Sequence, residues 1–291
     1  QRKALWSIFE AVKKSLSSSK LVTEAGLFNV LTDAIAKQKY PPFEFVVIDE
    51  AQDISLPQLR FLAAFGATTP NRLFFAGDTA QRIFRTPFSW KAAGIDLRGR
   101  CRTLKVNYRT SHQIRQQADR LLGKTVSDVD GNIEVRSTTV SVFNGPSPAI
   151  KNCTSREEEK TISIEWIKTL LSQGCKAHEL ALIVRSPKEF PRAHDIALAT
   201  SLPFVVLDEH VLPSHGHISV VTMHLAKGLE FRGVIVLACD EGVLPSSERI
   251  DAASDSSGKE LLLPRRQQAQ LSGRKVLGIC PEKLLQRAGS L

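Results

Sequence analysis

The stretch Phe45-Val46-Val47-Ile48-Asp49-Glu50-Ala51-Gln52-Asp53 constrains the fold of this chain more than any other. Four apolar residues run straight into two adjacent carboxylates. A continuous apolar run of this length reads as a strand buried on both faces, as in a parallel sheet. In open parallel sheets, ligand chemistry sits just beyond the carboxyl ends of the strands. Asp49 and Glu50 fall there, one after the other. Such a pair can divide the work of hydrolysing a nucleotide. One carboxylate holds Mg²⁺ near the phosphates, and the other orients or deprotonates the attacking water. The plainer reading is an acidic pair that only caps a following helix.

The residues after this stretch extend the pattern. A helix is expected over 56–65, with Pro57 suited to its first turn. Leu73-Phe74-Phe75-Ala76 reads as a second buried strand, ending in Gly77-Asp78-Thr79-Ala80-Gln81. The crossover of such a strand–helix–strand unit is right-handed, which brings Asp78 and Gln81 near Asp49 and Glu50. The amide of Gln81 both donates and accepts hydrogen bonds, so it suits a sensor of terminal phosphate or attacking water. A Gly-Asp turn with a surface glutamine is the alternative. Leu104-Lys105-Val106 then reads as a short strand before Asn107-Tyr108-Arg109-Thr110-Ser111, with Ser111 as N-cap of a helix over 112–122. Beside a phosphate site, Arg109 would neutralise charge that develops in phosphoryl transfer. Tyr108 is able to stack on a base. Taken alone, both are ordinary surface residues.

The rest of the chain keeps an α/β alternation. Amphipathic spacing predicts a helix over 3–16 and a second one carrying Leu27, Val30, Leu31, Ala34 and Ile35. Residues 123–147 read as a loop region, with Asp130-Gly131-Asn132 as a turn signal. Strands are then expected near 149–152, over 180–184, 204–207, 218–222 and 234–238, with helices between them. One of those helices opens on the capping box Ser155-x-x-Glu158. Alternation of this kind means a second parallel layer, hence two lobes. Asp208, Glu209, His210, His215 and His217 crowd one loop, but their spacing fits no standard metal-ligand pattern, and a solvated polar loop is the better reading. His224, on the connector between two strands, reads by itself as structural. From about Leu263 the chain shows no clear strand or helix period.

Composition sets limits on partners and compartment. Net charge is +9, from 39 Lys and Arg against 30 Asp and Glu, which suits a polyanionic partner without proving one. No apolar run is long enough to span a membrane, so no membrane role is expected. The five cysteines are widely spaced and form no CxxC, so neither a zinc site nor a disulfide framework is indicated, and a reduced cytoplasmic setting is the default.

Four motifs occur in order: Asp49-Glu50-Ala51-Gln52-Asp53, Gly77-Asp78-x-x-Gln81, Asn107-Tyr108-Arg109-Thr110 and Thr222-x-His224-x-x-Lys227-Gly228-Leu229-Glu230-Phe231. Together they resemble the UvrD/Rep-like superfamily 1 DNA helicases. The resemblance implies two RecA-like parallel-sheet lobes with ATP and Mg²⁺ between them, acting 3′ to 5′ on single-stranded DNA and duplex junctions. It implies that Asp49 holds the metal, Glu50 activates water, Gln81 senses phosphate and Arg109 contacts the γ-phosphate. It further implies that Tyr108 stacks on adenine, that Glu230 and Gly228 lie on the nucleotide side, and that Trp90, Thr222 and His224 touch DNA, Trp90 by stacking on a base.

The departures shape what is expected of these 291 residues. No Gly-x-x-x-x-Gly-Lys-Ser/Thr loop occurs, and in the family that loop precedes the acidic motif. The family's last arginine motif, expected after Glu260, is replaced by Leu261-Leu262-Leu263-Pro264-Arg265-Arg266. The span from Arg109 to Thr222, about 110 residues, suffices for one lobe, so the large inserted domain is absent or minimal. The expected organisation is therefore 1–106 as part of a first lobe incomplete at its N-terminus, 107–250 as the second lobe, and 251–291 as a basic tail. On this reading the chain is a helicase fragment that by itself turns over no ATP. A non-catalytic single-stranded-DNA-binding or scaffold remnant is the alternative. A helicase module within a nuclease or repair complex is a third reading that these residues do not separate from the first.

Overall fold

A computed structural model of the chain describes residues 2–39, 42–66, 71–78, 88–119, 125–127, 129–131, 133–135, 138–240, 242–244 and 275–281. The chain is mixed α/β with parallel sheets and forms two compact units. Unit 1 is Gln1–Lys105 with Leu121–Thr139, and unit 2 is Val106–Arg120 with Val140–Leu291.

Unit 1 begins with helices α1 (Arg2–Ser18) and α2 (Glu24–Ala36). In α1 the amphipathic spacing falls on Leu5, Ile8, Phe9, Val12 and Leu16; the first four are exposed, Leu16 is half-buried, and the helix fully buries none of its residues. Thr23 caps α2, its Oγ1 accepting the Gly26 N–H at 3.1 Å. α2 lies against α3 (Leu56–Gly66), where Phe28 meets the edge of Phe61 at 5.7 Å and Gln58 Nε2 donates to Glu24 at 2.7 Å. Strands β1 (Val46–Ile48) and β2 (Leu73–Phe75) flank α3 and pair in parallel, Val46 opposite Leu73 and Ile48 opposite Phe75.

The apolar run at β1 does not bury both faces. Alternate side chains of a strand point to opposite faces. Ile48 and Phe75 pack against the core of Leu59, Phe88 and Trp90, whereas Val47 and Phe74 are 63% and 55% exposed. Among the described residues no third strand joins β1 and β2, so nothing described covers that outer face. The region expected to be loop holds an antiparallel hairpin in unit 1, β4 (Thr125–Ser127) with β5 (Ile133–Val135), turning at Asp130-Gly131.

Unit 2 opens with β3 (Val106–Asn107), α4 (His112–Asp119) and β6 (Val140–Ser141), with β3 and β6 paired in parallel. Next come β7 (Ala149–Cys153), α5 (Arg156–Ser172), β8 (Leu180–Val184), α6 (Phe190–Ala199), β9 (Phe204–Val206), β10 (Ile218–Thr222) and β11 (Gly233–Val236). Ser155 Oγ caps α5 through the Glu158 N–H, and the Glu158 carboxylate reaches back to the N–H and hydroxyl of Thr154.

The tail expected to lack strand period supplies β12 (Lys275–Pro281), which completes a six-stranded sheet of order β7-β12-β11-β8-β10-β9. β12 runs antiparallel to both neighbours, and β8 to β11 are mutually parallel. Every residue of β10 is buried, as a central strand requires. Leu182, Val220 and Ile235 form the core with Ile167 of α5 and Ile196 of α6.

Candidate functional site

The carboxyl ends of β1 and β2 lie side by side and are joined by backbone bonds beyond the strands. Ala76 N–H donates to Ile48 O, and Ala51 N–H donates to Ala76 O, both at 2.8 Å. Asp49 and Glu50 leave β1 at this edge, both exposed. Asp49 Oδ1 accepts the Glu50 N–H at 2.8 Å. Glu50 adopts a left-handed backbone (φ 50°, ψ 40°), uncommon for a residue with a side chain. A 3₁₀ turn, Ala51–Asp53, follows.

Gln52, unremarked in the sequence except as part of its motif, is 5% exposed and spans the two strand ends. Its Nε2 donates to Glu50 Oε2, and its Oε1 accepts the Asp78 N–H at 3.0 Å. Gly77 makes room for it, since a Cβ at that position would lie 2.5 Å from Gln52 Oε1. Asp78 thus lies next to the acidic pair, as the strand–helix–strand reading expects. Gln81 lies outside the described residues.

Trp90, which the resemblance implies stacks on a DNA base, packs into the core of unit 1. It is 9% exposed and packs edge-on against Phe75 (5.1 Å) and Phe88 (5.2 Å). Its ring is consumed by the core, so we read it as a packing residue and not as a base-stacking one. The turn that carries it is held by Asp130 of the β4–β5 hairpin. The Asp130 carboxylate accepts the Trp90 N–H (2.6 Å), the Lys91 N–H (3.3 Å) and the Ser89 hydroxyl. The Ser89 hydroxyl first, then the Lys91 and Trp90 N–H groups, hold the Asp130 carboxyl below the ordinary aspartate range against partial desolvation.

In unit 2, Asn107 shapes the loop that presents Tyr108 and Arg109. Its Oδ1 accepts the N–H groups of Arg109 and Thr110, both at 2.9 Å, an Asx turn set at the end of β3. Tyr108 is 74% exposed. Arg109 Nη1 meets Glu230 Oε1 at 3.0 Å, so two residues 121 positions apart, which the resemblance implies lie near a nucleotide, come together. Both are solvent-exposed, and a pair of that kind contributes little stability and exchanges partners readily. Gly228 has a positive φ of 82°, with open space where a Cβ would stand.

Thr222, at the end of β10, is buried, and its Oγ1 accepts the Leu225 N–H at 3.4 Å. It therefore shapes the connector instead of presenting a hydroxyl outward, whereas His224 on the same connector is exposed. Asp208 Oδ1 is taken by the N–H groups of His210 and Val211 (2.7 and 2.8 Å), as befits a polar loop.

A buried charged cluster passed unnoticed in the sequence. Glu159 of α5 and Arg192 of α6 are 2% and 8% exposed, and Arg192 Nε donates to Glu159 Oε2 at 2.9 Å. The same guanidinium reaches Asp240 beyond β11. Glu159 Oε1 accepts the N–H of Ala238, another left-handed residue (φ 57°), at 3.1 Å. The cluster fixes the chain where it leaves β11. Glu159 follows Glu157 and Glu158 and looks like one more solvated acid, so the sequence carried no signal for it.

The two units thus offer, each by itself, a parallel strand pair with an acidic carboxyl edge and an exposed arginine–glutamate pair. Comparison with known proteins sharpens this. Residues 10–98 match the UvrD/REP helicase N-terminal domain, and residues 195–261 match the UvrD-like helicase C-terminal domain. DNA helicase IV of Escherichia coli is 26% identical over 270 residues, 90% of this chain and 36% of that protein. A probable DNA helicase of Mycoplasma pneumoniae is 24% identical over 210 residues, 69% of this chain and 37% of that one. A probable DNA helicase II homolog of Rickettsia conorii is 34% identical over 80 residues, 27% of this chain and 12% of its own length. The chain belongs to the UvrD-like helicase family. It spans little more than a third of the length of the first two of these relatives.

Proposed function

We propose that the chain is the part of an ATP-dependent DNA helicase that carries its hydrolytic carboxylates, moving 3′ to 5′ on single-stranded DNA and separating duplex at junctions. The observation that carries the proposal is the joining of Asp49-Glu50 to Gly77-Asp78 at the ends of two neighbouring parallel strands, within the segment that matches the helicase N-terminal domain.

The donor set suits Mg²⁺, a hard cation bound through one or two carboxylates together with substrate phosphates and water. Among the described residues no three His, Cys, Asp or Glu converge as a group that could hold a metal ion. When bound, Mg²⁺·ATP supplies the phosphoanhydride and neutralises charge on the leaving phosphates. Asp49, with Oδ1 on the Glu50 N–H, offers Oδ2 as the metal ligand. Glu50, with Oε2 on Gln52, keeps Oε1 to accept a proton from water.

In the same proposal Gln81 senses the terminal phosphate, Arg109 leaves Glu230 to meet γ-phosphate charge, and Tyr108 stacks on adenine. Glu230 and Gly228 border the nucleotide, and His224 contacts single-stranded DNA. The test is ATP hydrolysis stimulated by single-stranded DNA in the intact protein. Glu50→Gln should abolish turnover while nucleotide and DNA binding persist; full activity in that variant would remove Glu50 from its role.

The absence of any Gly-x-x-x-x-Gly-Lys-Ser/Thr stretch within the 291 residues favours a second reading, a non-catalytic single-strand binder or scaffold. For the 291-residue chain by itself we expect DNA binding without ATP turnover. Hydrolysis by that polypeptide alone would exclude the second reading.

A further inference from the structure

We propose that Gln52 is a positioning residue that aims the Glu50 carboxylate and ties it to the end of β2; this rests on the reading of Glu50 as the water-activating base. The orientation of the Gln52 amide is fixed by its neighbours. The Asp78 N–H is able only to donate, so Oε1 faces it. The Glu50 carboxylate is able only to accept, so Nε2 faces that group. Each end of one buried amide thus reads one strand end, and a flipped amide would fail at both.

Three further observations say that this bridge is built in. Gly77 yields its side-chain space to Gln52 Oε1. Gln52 is 5% exposed, so it pays for burial only if both polar ends are met. Glu50 is held in a left-handed conformation that persists only where its surroundings over-determine it. Gln52 also engages one carboxylate oxygen of Glu50 and leaves the other for water. The amide therefore sets which lone pairs of Glu50 face the reacting water, without itself touching substrate. Because its other end rests on the Asp78 N–H, a shift of the chain after β2 changes the aim of Glu50.

Two substitutions separate the two ends of the bridge. Gln52→Glu keeps an acceptor for the Asp78 N–H and removes the donor to Glu50. Gln52→Leu removes both. In the 291-residue chain, hydrogen exchange at the Asp78 amide should stay slow in Gln52→Glu and accelerate about tenfold or more in Gln52→Leu. In the intact protein with single-stranded DNA, both variants should lose about 10- to 100-fold in kcat, while KM for ATP moves less than about threefold, as expected when an interaction made in the transition state is lost. Wild-type kcat in Gln52→Glu would overturn the proposal and leave the helicase reading standing. Unchanged Asp78 exchange in Gln52→Leu would overturn the bridge itself. If the intact wild-type protein hydrolyses no ATP, the proposed function fails, and the Asp78 exchange in Gln52→Leu alone upholds or overturns the bridge.

Discussion

Gly77 stands where no side chain fits. An alanine Cβ there would meet Gln52 Oε1 at 2.5 Å and the N atoms of Ala51 and Gln52 at 3.0 and 3.2 Å. Two of these contacts are backbone and yield poorly. Gly77→Ala should cost about 1–3 kcal/mol, as overpacking does, and lower the thermal midpoint measured by circular dichroism. Arg192 is the reverse case, a residue whose removal leaves a charge behind. Arg192→Met abandons the buried Glu159 carboxylate and should cost about 3–5 kcal/mol in urea unfolding. The cysteines divide in the same physical way. Burial, then the Glu179 charge, pushes the Cys175 thiol up to about 11. Burial, then Glu159 and Asp240, pushes Cys239 up to about 12. Cys101 is exposed. A thiol-reactive dye should label Cys101 within minutes in the native state, and Cys175 and Cys239 only on unfolding. The acidic pair was legible in the sequence because an apolar run ending in acids implies a strand edge. Gln52 was not, because its role depends on a contact 26 residues away. The packing of Trp90 was not legible either, because an aromatic ring serves a core and a base equally well.

At the scale of elements, the β4–β5 hairpin acts on unit 1 through one side chain. Asp130, depressed in pKa by its three donors, contributes stability that is fully present above the unfolded aspartate value of about 3.9 and lost as pH falls through the lower folded value. The gap in urea midpoint between the wild-type chain and Asp130→Asn should therefore be constant from neutral pH down to about pH 5 and close in stronger acid. A gap that widened in acid would contradict the clasp. The hairpin itself carries little strand signal in the sequence. Its strands are three residues each, too short for a period to emerge, although the Asp130-Gly131 turn was visible. Longer elements announced themselves. β8 and β10 occupy 180–184 and 218–222 as expected, because continuous apolar runs bounded by polar residues leave little choice. β12 was missed for the opposite reason. A seven-residue run broken by Gly278 lacks the pattern of a central strand and takes its place by pairing on both edges.

For the molecule as a whole, charge and connectivity set the expectations. An excess of nine positive charges favours a polyanion, and the affinity of the 291-residue chain for a fluorescent single-stranded oligonucleotide should fall linearly in log–log form with salt. Anisotropy titrations at several salt concentrations measure the slope, and a flat response would deny a phosphate-dominated interface. The chain passes between the units three times, because Leu121–Thr139 belongs with unit 1 while its flanks belong with unit 2. A cut at residue 105 would therefore part unit 1 from the hairpin that clasps Trp90. The position of β12 has a consequence in time. β7 and β11 are made early, yet each borders β12, which leaves the ribosome about 40 residues after β11, a wait of about 2–8 s at ordinary elongation rates. Throughout that interval the nascent sheet ends on a bare β11 edge while β7 has no strand partner, and a chaperone or a stray strand from a neighbouring chain is free to take the place first.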